Sequence, residues 1–328
     1  MLNIGILGAG RIGSVHAKSM TMNPHCRLSA VSDVNEAAAQ ALATTYGAQA
    51  RSTLDIIEDP TIDAVLIASS TDTHADLIEA ATLAGKAVFC EKPVDLSLAR
   101  ARACQAVVHK AGRSVMLGFN RRFDPNFVAL KSQFDAGEIG KGELLSITSF
   151  DPAPPPLSYV KVSGGLFRDM AIHDFDMACW LYGAMPIAVT AIGSSLVDPA
   201  IGAAGDVDTA VTTLHFADGR LAVIKNSRRA VYGYDQRIEL LGSSGLLQVA
   251  NVLENTVTRT TISGAQGAKP ALFFLERYMQ AYTAEWHVFV DAVTSGQPFP
   301  VTLDDGVNAL VLAEAATQSA KTGVTVRI

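Results

Sequence analysis

Six residues of β-rich sequence, Leu2 to Leu7, run straight into Gly8-Ala9-Gly10-Arg11-Ile12-Gly13, and a helical pattern follows from Ile12 to Met22. A second β-rich run, Leu28 to Ser32, ends in Asp33, 20 residues past Gly13. Three glycines at this spacing say little alone. Between a strand and a helix, with an acid at that distance, they mark a βαβ unit that binds a dinucleotide. Gly8 allows the tight turn, Gly10 lets backbone amides approach a pyrophosphate, and Gly13 lets the helix pack close, with the helix N-terminus favouring the anion. Asp33 stands where such a fold hydrogen-bonds the adenosine ribose. Its carboxylate repels a 2′-phosphate, and Val34 follows where an arginine could welcome one, so NAD is favoured over NADP. Arg11 and Ile12 fill the turn, Arg11 within reach of the pyrophosphate.

The same rhythm continues. Helical patterns over Asn35 to Tyr46, His74 to Ala84 and Leu96 to Lys110 alternate with a weak segment near Ala50 to Ser52 and strands at Ala64 to Ala68, Ala87 to Cys90 and Ser114 to Gly118. Strands alternating with helices predict a doubly wound parallel sheet, whose ligands bind beyond the carboxyl ends of its strands. The polar residues at those ends are Ser69, Thr71, His74, Glu91, Lys92 and Asn120. Pro93 stiffens the exit behind Lys92 and aims the lysine at the cleft.

A chain of 328 residues is too long for one ordinary core, so two domains are expected, residues 1–120 and 121–328. A net charge of −6, with no basic run, argues against nucleic acid, and no apolar run is long enough to span a bilayer. The N-terminus enters a strand with no cleavable leader pattern, and the expected location is the cytoplasm. Cys26, Cys90, Cys104 and Cys179 are scattered in apolar surroundings and read as buried free thiols. His16, His25, His109, His215 and His287 show no acidic partner at ligand spacing, and no cluster has metal-site spacing, so no metal is expected.

Beyond Gly118 the sequence reads as a helix from Phe123 to Gly137, a strand from Glu143 to Phe150, and a stiff Pro152-Ala153-Pro154-Pro155-Pro156 segment. Short β-rich runs recur from Ile187 to Thr261 with turn signals and no intervening helix, which predicts antiparallel strands. Helices follow over Leu272 to Thr294 and from a capping Asp304 to Thr322, then a short closing strand. The chemistry-bearing stretch is Gly164 to Gly183. There Asp169, His173 and Asp176 stand at helical spacing in an apolar run, so that Asp169 and His173 share one helix face with Asp176 one turn on. A carboxylate beside a histidine fixes its tautomer and raises its basicity, an acid–base pair.

Through Gly8 to Gly13, Glu91-Lys92-Pro93 and the Asp169/His173 pair, the chain resembles the Gfo/Idh/MocA family of glucose-fructose oxidoreductases and inositol dehydrogenases nearly end to end. Gly118 to Pro125, Tyr159 to Gly165 and Asp169 to Trp180 are most similar to its inositol dehydrogenases. The resemblance implies a Rossmann domain followed by an α/β domain on a large open, mainly antiparallel sheet, whose outer face makes a dimer or tetramer interface. It implies NAD-dependent oxidation of a secondary alcohol of a cyclic polyol, myo-inositol foremost, with scyllo-inositol, D-chiro-inositol or a pyranose as alternatives. It also implies roles: Lys92 holds the reactive hydroxyl, His173 is the general base and Asp169 orients both substrate and His173. Asn120, Arg121, Asp151, Tyr234 and Tyr282 line the polyol pocket. A dinucleotide-binding sensor without catalysis is the alternative from another class.

Overall fold

The computed structural model describes residues 1–328. The first part alternates as the sequence predicts: β1 (Leu2–Leu7), α1 (Arg11–Met20), β2 (Cys26–Ser32), α2 (Glu36–Tyr46), β3 (Gln49–Ala50), α3 (Thr53–Glu58), β4 (Ala64–Ile67), α4 (His74–Leu83), β5 (Ala87–Cys90), α5 (Leu98–Lys110) and β6 (Val115–Leu117). All strands pair in parallel in the order β3-β2-β1-β4-β5-β6. The order reverses between β1 and β4, the switch point at which an open α/β sheet leaves a crevice for a ligand. β4, AVLI, is buried along its whole length, as a central parallel strand covered on both faces must be. α3 goes beyond the weak segment read from the sequence. Ser52 caps it by accepting from the Asp55 amide.

The rest comprises α6 (Pro125–Asp135), β7 (Gly142–Phe150), α7 (Leu157–Val160), α8 (Leu166–Asp169), α9 (Ile172–Tyr182), β8 (Pro186–Ser194), α10 (Pro199–Ala203), β9 (Thr209–Phe216), β10 (Leu221–Ser227), β11 (Asp235–Gly242), β12 (Gly245–Val249), the hairpin β13 (Arg259–Thr261) and β14 (Gly264–Gln266), α11 (Phe274–Ser295), α12 (Leu303–Thr322) and β15 (Val326–Arg327). Seven strands form one sheet in the order β12-β11-β7-β10-β9-β8-β15, antiparallel throughout except for the β7–β10 pair. Along β9, Ala210, Thr212, Leu214 and Phe216 are buried while Val211, Thr213 and His215 are exposed. That two-residue period is the mark of a sheet with one covered and one open face.

Three readings are corrected. A helix does interrupt the β-rich stretch: α10 forms because Asp198 accepts from the Ala200 amide and Pro199 occupies the first turn, where its missing N–H costs nothing. α12 is not capped by Asp304, which lies in its first turn. Asp305 instead accepts from both the amide and the hydroxyl of Thr302, just before the helix. Two histidines read as lone have acidic partners, His16 with Glu91 and, at the surface, His109 with Asp304 at 3.0 Å. All four cysteines are free thiols, Cys26, Cys90 and Cys104 buried and Cys179 half-buried. Burial holds the Cys26 thiol up at about 11.

By compactness the chain divides into one unit of Met1–Phe123 with Met279–Leu310 and another of Asp124–Tyr278 with Val311–Ile328. The segment Met279–Leu310, in the second part of a linear division at residue 120, belongs to the first unit. Within that unit the Leu117 amide donates to the Val301 carbonyl and Phe89 packs on Trp286 and Phe289.

Candidate active site

The glycine turn is built as its chemistry requires. Gly8 has φ 115°, and a Cβ on it would overlap the Ala68 carbonyl at the end of β4. A Cβ on Gly13 would overlap the Gly8 carbonyl oxygen, so only glycine lets α1 start this close to the turn. Gly10 differs: nothing lies within 4 Å of its Cβ position, and as the N-cap of α1 it offers no side-chain acceptor to the first-turn amides. Open space before uncapped helical N–H groups is an anion cradle, so the residues fit a dinucleotide pyrophosphate. Asp33 closes the turn, its Oδ2 accepting from the Ala9 amide at 2.6 Å and its Oδ1 from the Asn35 amide at 2.8 Å. Val34 beside it is fully exposed.

Around the strand ends, the Ser69 hydroxyl meets Thr73 at 2.6 Å, and Thr71 opens the turn before α4. His74 is buried, with Nδ1 2.8 Å from the Pro93 carbonyl and Nε2 3.1 Å from the Ser69 carbonyl, a brace linking two strand-end loops. Lys92 is half-buried and its peptide to Pro93 is cis. Glu91 is 9% exposed and lies 2.7 Å from His16 Nε2. Asn120 and Arg121 sit buried in the turn Asn120–Phe123. Tyr282, in the same unit, is buried edge-on to His16.

The second unit holds Asp151, Asp169, His173 and Tyr234. Here the helical run read through Asp169, His173 and Asp176 is two helices. α8 ends at Asp169 and α9 starts at Ile172, because the amides of Met170 and Ala171 both donate to the Leu166 carbonyl and the regular ladder lapses. The entry to α8 needs two left-handed residues in succession, Gly164 at φ 82° and Gly165 at φ 85°, and a Cβ on Gly165 would press on Asp206. Asp206 in turn accepts from the Leu166 amide, capping α8 from 40 residues away. His173 falls in the first turn of α9, and Asp176, one turn on, is buried.

Asp169 is held at both oxygens. Tyr159 donates its hydroxyl to Oδ1 at 2.9 Å, and Arg228, itself 2% exposed, reaches Oδ2 at 3.2 Å. Arg228 is fixed through its backbone to Asp208. Burial pulls the Asp208 carboxyl upward, but the amides of Asp198, Leu196 and Val197 and the Thr209 hydroxyl outweigh it and hold it below the usual range. In α9 the buried Asp174 accepts from Asn226 at 2.7 Å. Asp151 is half-buried at the end of β7, its amide donating to Ser227, and Tyr234 is buried edge-on to Tyr278.

Residues 2–119 match the NAD-binding Rossmann fold of the Gfo/Idh/MocA oxidoreductase family, and residues 131–328 match its C-terminal α/β domain. The chain belongs to this family. It is 50% identical to the inositol 2-dehydrogenase of Rhizobium meliloti over 321 residues, 97% of this chain and 96% of that one. It is 49% identical to the myo-inositol 2-dehydrogenase of Thermotoga maritima over 320 residues, again 97% and 96% of the two chains. The crystal structure of scyllo-inositol dehydrogenase from Lactobacillus casei, with bound NAD(H) and scyllo-inositol, superposes with a TM-score of 0.93 at 33% identity, covering 100% of this chain and 99% of that one. As a Gfo/Idh/MocA oxidoreductase the chain carries an NAD-binding Rossmann domain, as its glycine turn and Asp33 indicate. Sequence reasoning missed three polar groups in the family fold: His16, Tyr159 and Arg228. The last lies 59 residues from its partner Asp169, and His16 lies 75 from Glu91, separations that leave no local signal.

Proposed function

We propose that this chain is an NAD-dependent dehydrogenase that oxidises a secondary hydroxyl of a cyclic polyol, myo-inositol to 2-keto-myo-inositol (scyllo-inosose). The observation that carries the reading is Asp169, a carboxylate pinned by Arg228 and Tyr159 at the break from which the His173 helix starts. Fixed charge at a helix start of this kind orients a histidine and a substrate hydroxyl without reorganisation during reaction. Similarity over nearly the full length to inositol 2-dehydrogenases supports the substrate class.

Bound NAD supplies the hydride acceptor. Gly10 and the first-turn amides of α1, with Arg11 and Ile12, receive the pyrophosphate, and Asp33 takes the ribose hydroxyls and repels a 2′-phosphate. Ser69, Thr71, His74 and Glu91, on the loops at the strand ends, would help hold the cofactor. Neutral His173 takes the proton of the hydroxyl being oxidised. Lys92, as an ammonium, stabilises negative charge developing on that oxygen, an effect strongest where water is excluded. Asn120, Arg121, Asp151, Tyr234 and Tyr282 bind the remaining ring hydroxyls.

NADH formation at 340 nm, with NAD or NADP and a panel of myo-, scyllo- and D-chiro-inositol, glucose, galactose and xylose, tests the proposal. NAD-linked turnover of myo-inositol above the others is expected. Turnover of scyllo-inositol alone, the ligand of the Lactobacillus casei relative, or of a pyranose alone moves the substrate. Tight NAD binding with no turnover of any of them points to a sensor. We further propose work in the cytoplasm, where a reduced thiol pool matches four free cysteines, and assembly into a homotetramer through the open sheet face. In cross-strand register, that face aligns Leu246, Leu241, Leu144 and Leu221, each 38–48% exposed. No helix is long and apolar enough to cross a membrane.

A further inference from the structure

Around His16 the first unit holds a buried polar chain of which the proposed reaction uses only the Glu91 end. His16 lies in α1, fully buried, with Nε2 2.7 Å from Glu91 Oε1 and Nδ1 3.0 Å from the indole Nε1 of Trp286. An indole nitrogen can only donate, so Nδ1 is an acceptor and carries no proton. The one ring proton therefore sits on Nε2 and is given to Glu91. The rings of Phe89, Tyr282 and Trp286 meet the imidazole edge-on with centroids at 5.2, 5.3 and 5.9 Å, which fixes its plane as well as its tautomer.

Glu91, just past β5, and Tyr282 in α11 are the titratable groups that face the ring. Glu285, next to Trp286 in α11, is fully buried with neither carboxyl oxygen hydrogen-bonded. Burial first, then the negative charge of Glu91, pushes its carboxyl well above the ordinary range. Glu285 is thus neutral, and the single negative charge of the cluster rests on Glu91. The Glu91 carboxylate also lies against Gly118, where a Cβ would come to 2.9 Å. It lies between Gly118, just past β6, and His16 of α1.

We propose that His16 is a positioning residue for the hydride transfer: as a neutral Nε2–H donor it locks the Glu91 carboxylate, and through it the direction in which the next residue, Lys92, presents its ammonium. The proposal rests on the role given to Lys92 above. Because α1 also begins at the glycine turn, the same strut ties the cofactor helix to the loop that carries Lys92.

Steady-state kinetics on His16→Phe, Lys92→Met and the double variant, with NAD affinity measured separately, test it. Phenylalanine keeps a ring in place and removes both hydrogen bonds. The expected result for His16→Phe is a kcat lowered by about 10- to 100-fold with the NAD dissociation constant within about threefold, since misplacement of a reacting group is felt in turnover. The double variant is expected to be no slower than Lys92→Met, because residues acting in series do not add. Unchanged kcat in His16→Phe, or losses that multiply in the double variant, overturn the proposal. Full turnover in Lys92→Met alone removes the role of Lys92, and the proposal with it. Should His16→Phe fail to fold, nitrogen NMR of the histidines decides. The wild-type ring is expected to show the Nε2–H tautomer with an unprotonated Nδ1, and Trp286→Phe to shift the Nδ1 resonance as its indole donor is lost. A wild-type His16 that bears its proton on Nδ1 overturns the proposal.

Discussion

At the scale of single residues, the acid–base assignment makes a direct prediction. His173→Ala and Lys92→Ala are expected to lower kcat by about 100-fold or more while leaving NAD binding, measured by titration, nearly unchanged. Since His173 must be neutral to accept a proton, kcat/KM is expected to rise with pH through the histidine titration to a plateau, and this limb is expected to vanish in His173→Ala. Glu285 carries a different prediction. Its folded-state carboxyl lies well above the ordinary value of 4.5, so below that value native and unfolded chains both hold the proton. As pH rises past it, the unfolded chain releases a proton the native state keeps, and native stability falls. Glu285→Gln lacks this penalty. Its melting temperature is expected to match wild type near about pH 4 and to exceed it increasingly toward about pH 8, as thermal unfolding would record. A margin that stays flat with pH would refute a buried neutral acid. The residues proposed to bind cofactor and act on substrate are read from local patterns in the sequence: Gly8 to Gly13 after a strand, Asp33 at its fixed distance, Lys92 before Pro93. The groups that hold them are not. Arg228 reaches Asp169 and His16 reaches Glu91 only through the fold.

At the scale of elements, the glycines of the turn separate folding from binding. A methyl on Gly13 collides with backbone that cannot move aside, whereas one on Gly10 enters open space. Gly13→Ala is expected to lower the melting temperature and weaken NAD binding together. Gly10→Ala is expected to keep the wild-type melting temperature and weaken NAD binding about tenfold or more, because the methyl occupies the anion cradle. Paired thermal-shift and NAD-titration measurements check both. The α8–α9 break shows why helical spacing is a poor guide to the backbone here. Met170 and Ala171 keep right-handed helical angles, so the sequence retains its period, and only the shift of two amides onto one carbonyl splits the element. α10 escaped notice because five residues leave no measurable period, and only Asp198 and Pro199 announce it.

At the scale of the whole molecule, the open sheet face is the largest expectation left to solution experiments. Replacing Leu144 and Leu241 by glutamate places charges inside the leucine row, and sedimentation is expected to show a smaller species than wild type. Wild-type protein that sediments as a monomer would remove the face as an interface. The division of the chain carries a consequence for synthesis. The first unit draws Trp286, Phe289 and Val301 from late in the sequence, and they cover Phe89, His16 and the end of β6. On the ribosome, at roughly 5–20 residues per second, the sheet strands emerge some ten seconds or more before those side chains exist. During that interval the nascent sheet offers an aromatic socket and an uncovered strand to whatever else is in the cell. The order of translation thus leaves the earliest-made unit unfinished until residues 279–310 have followed.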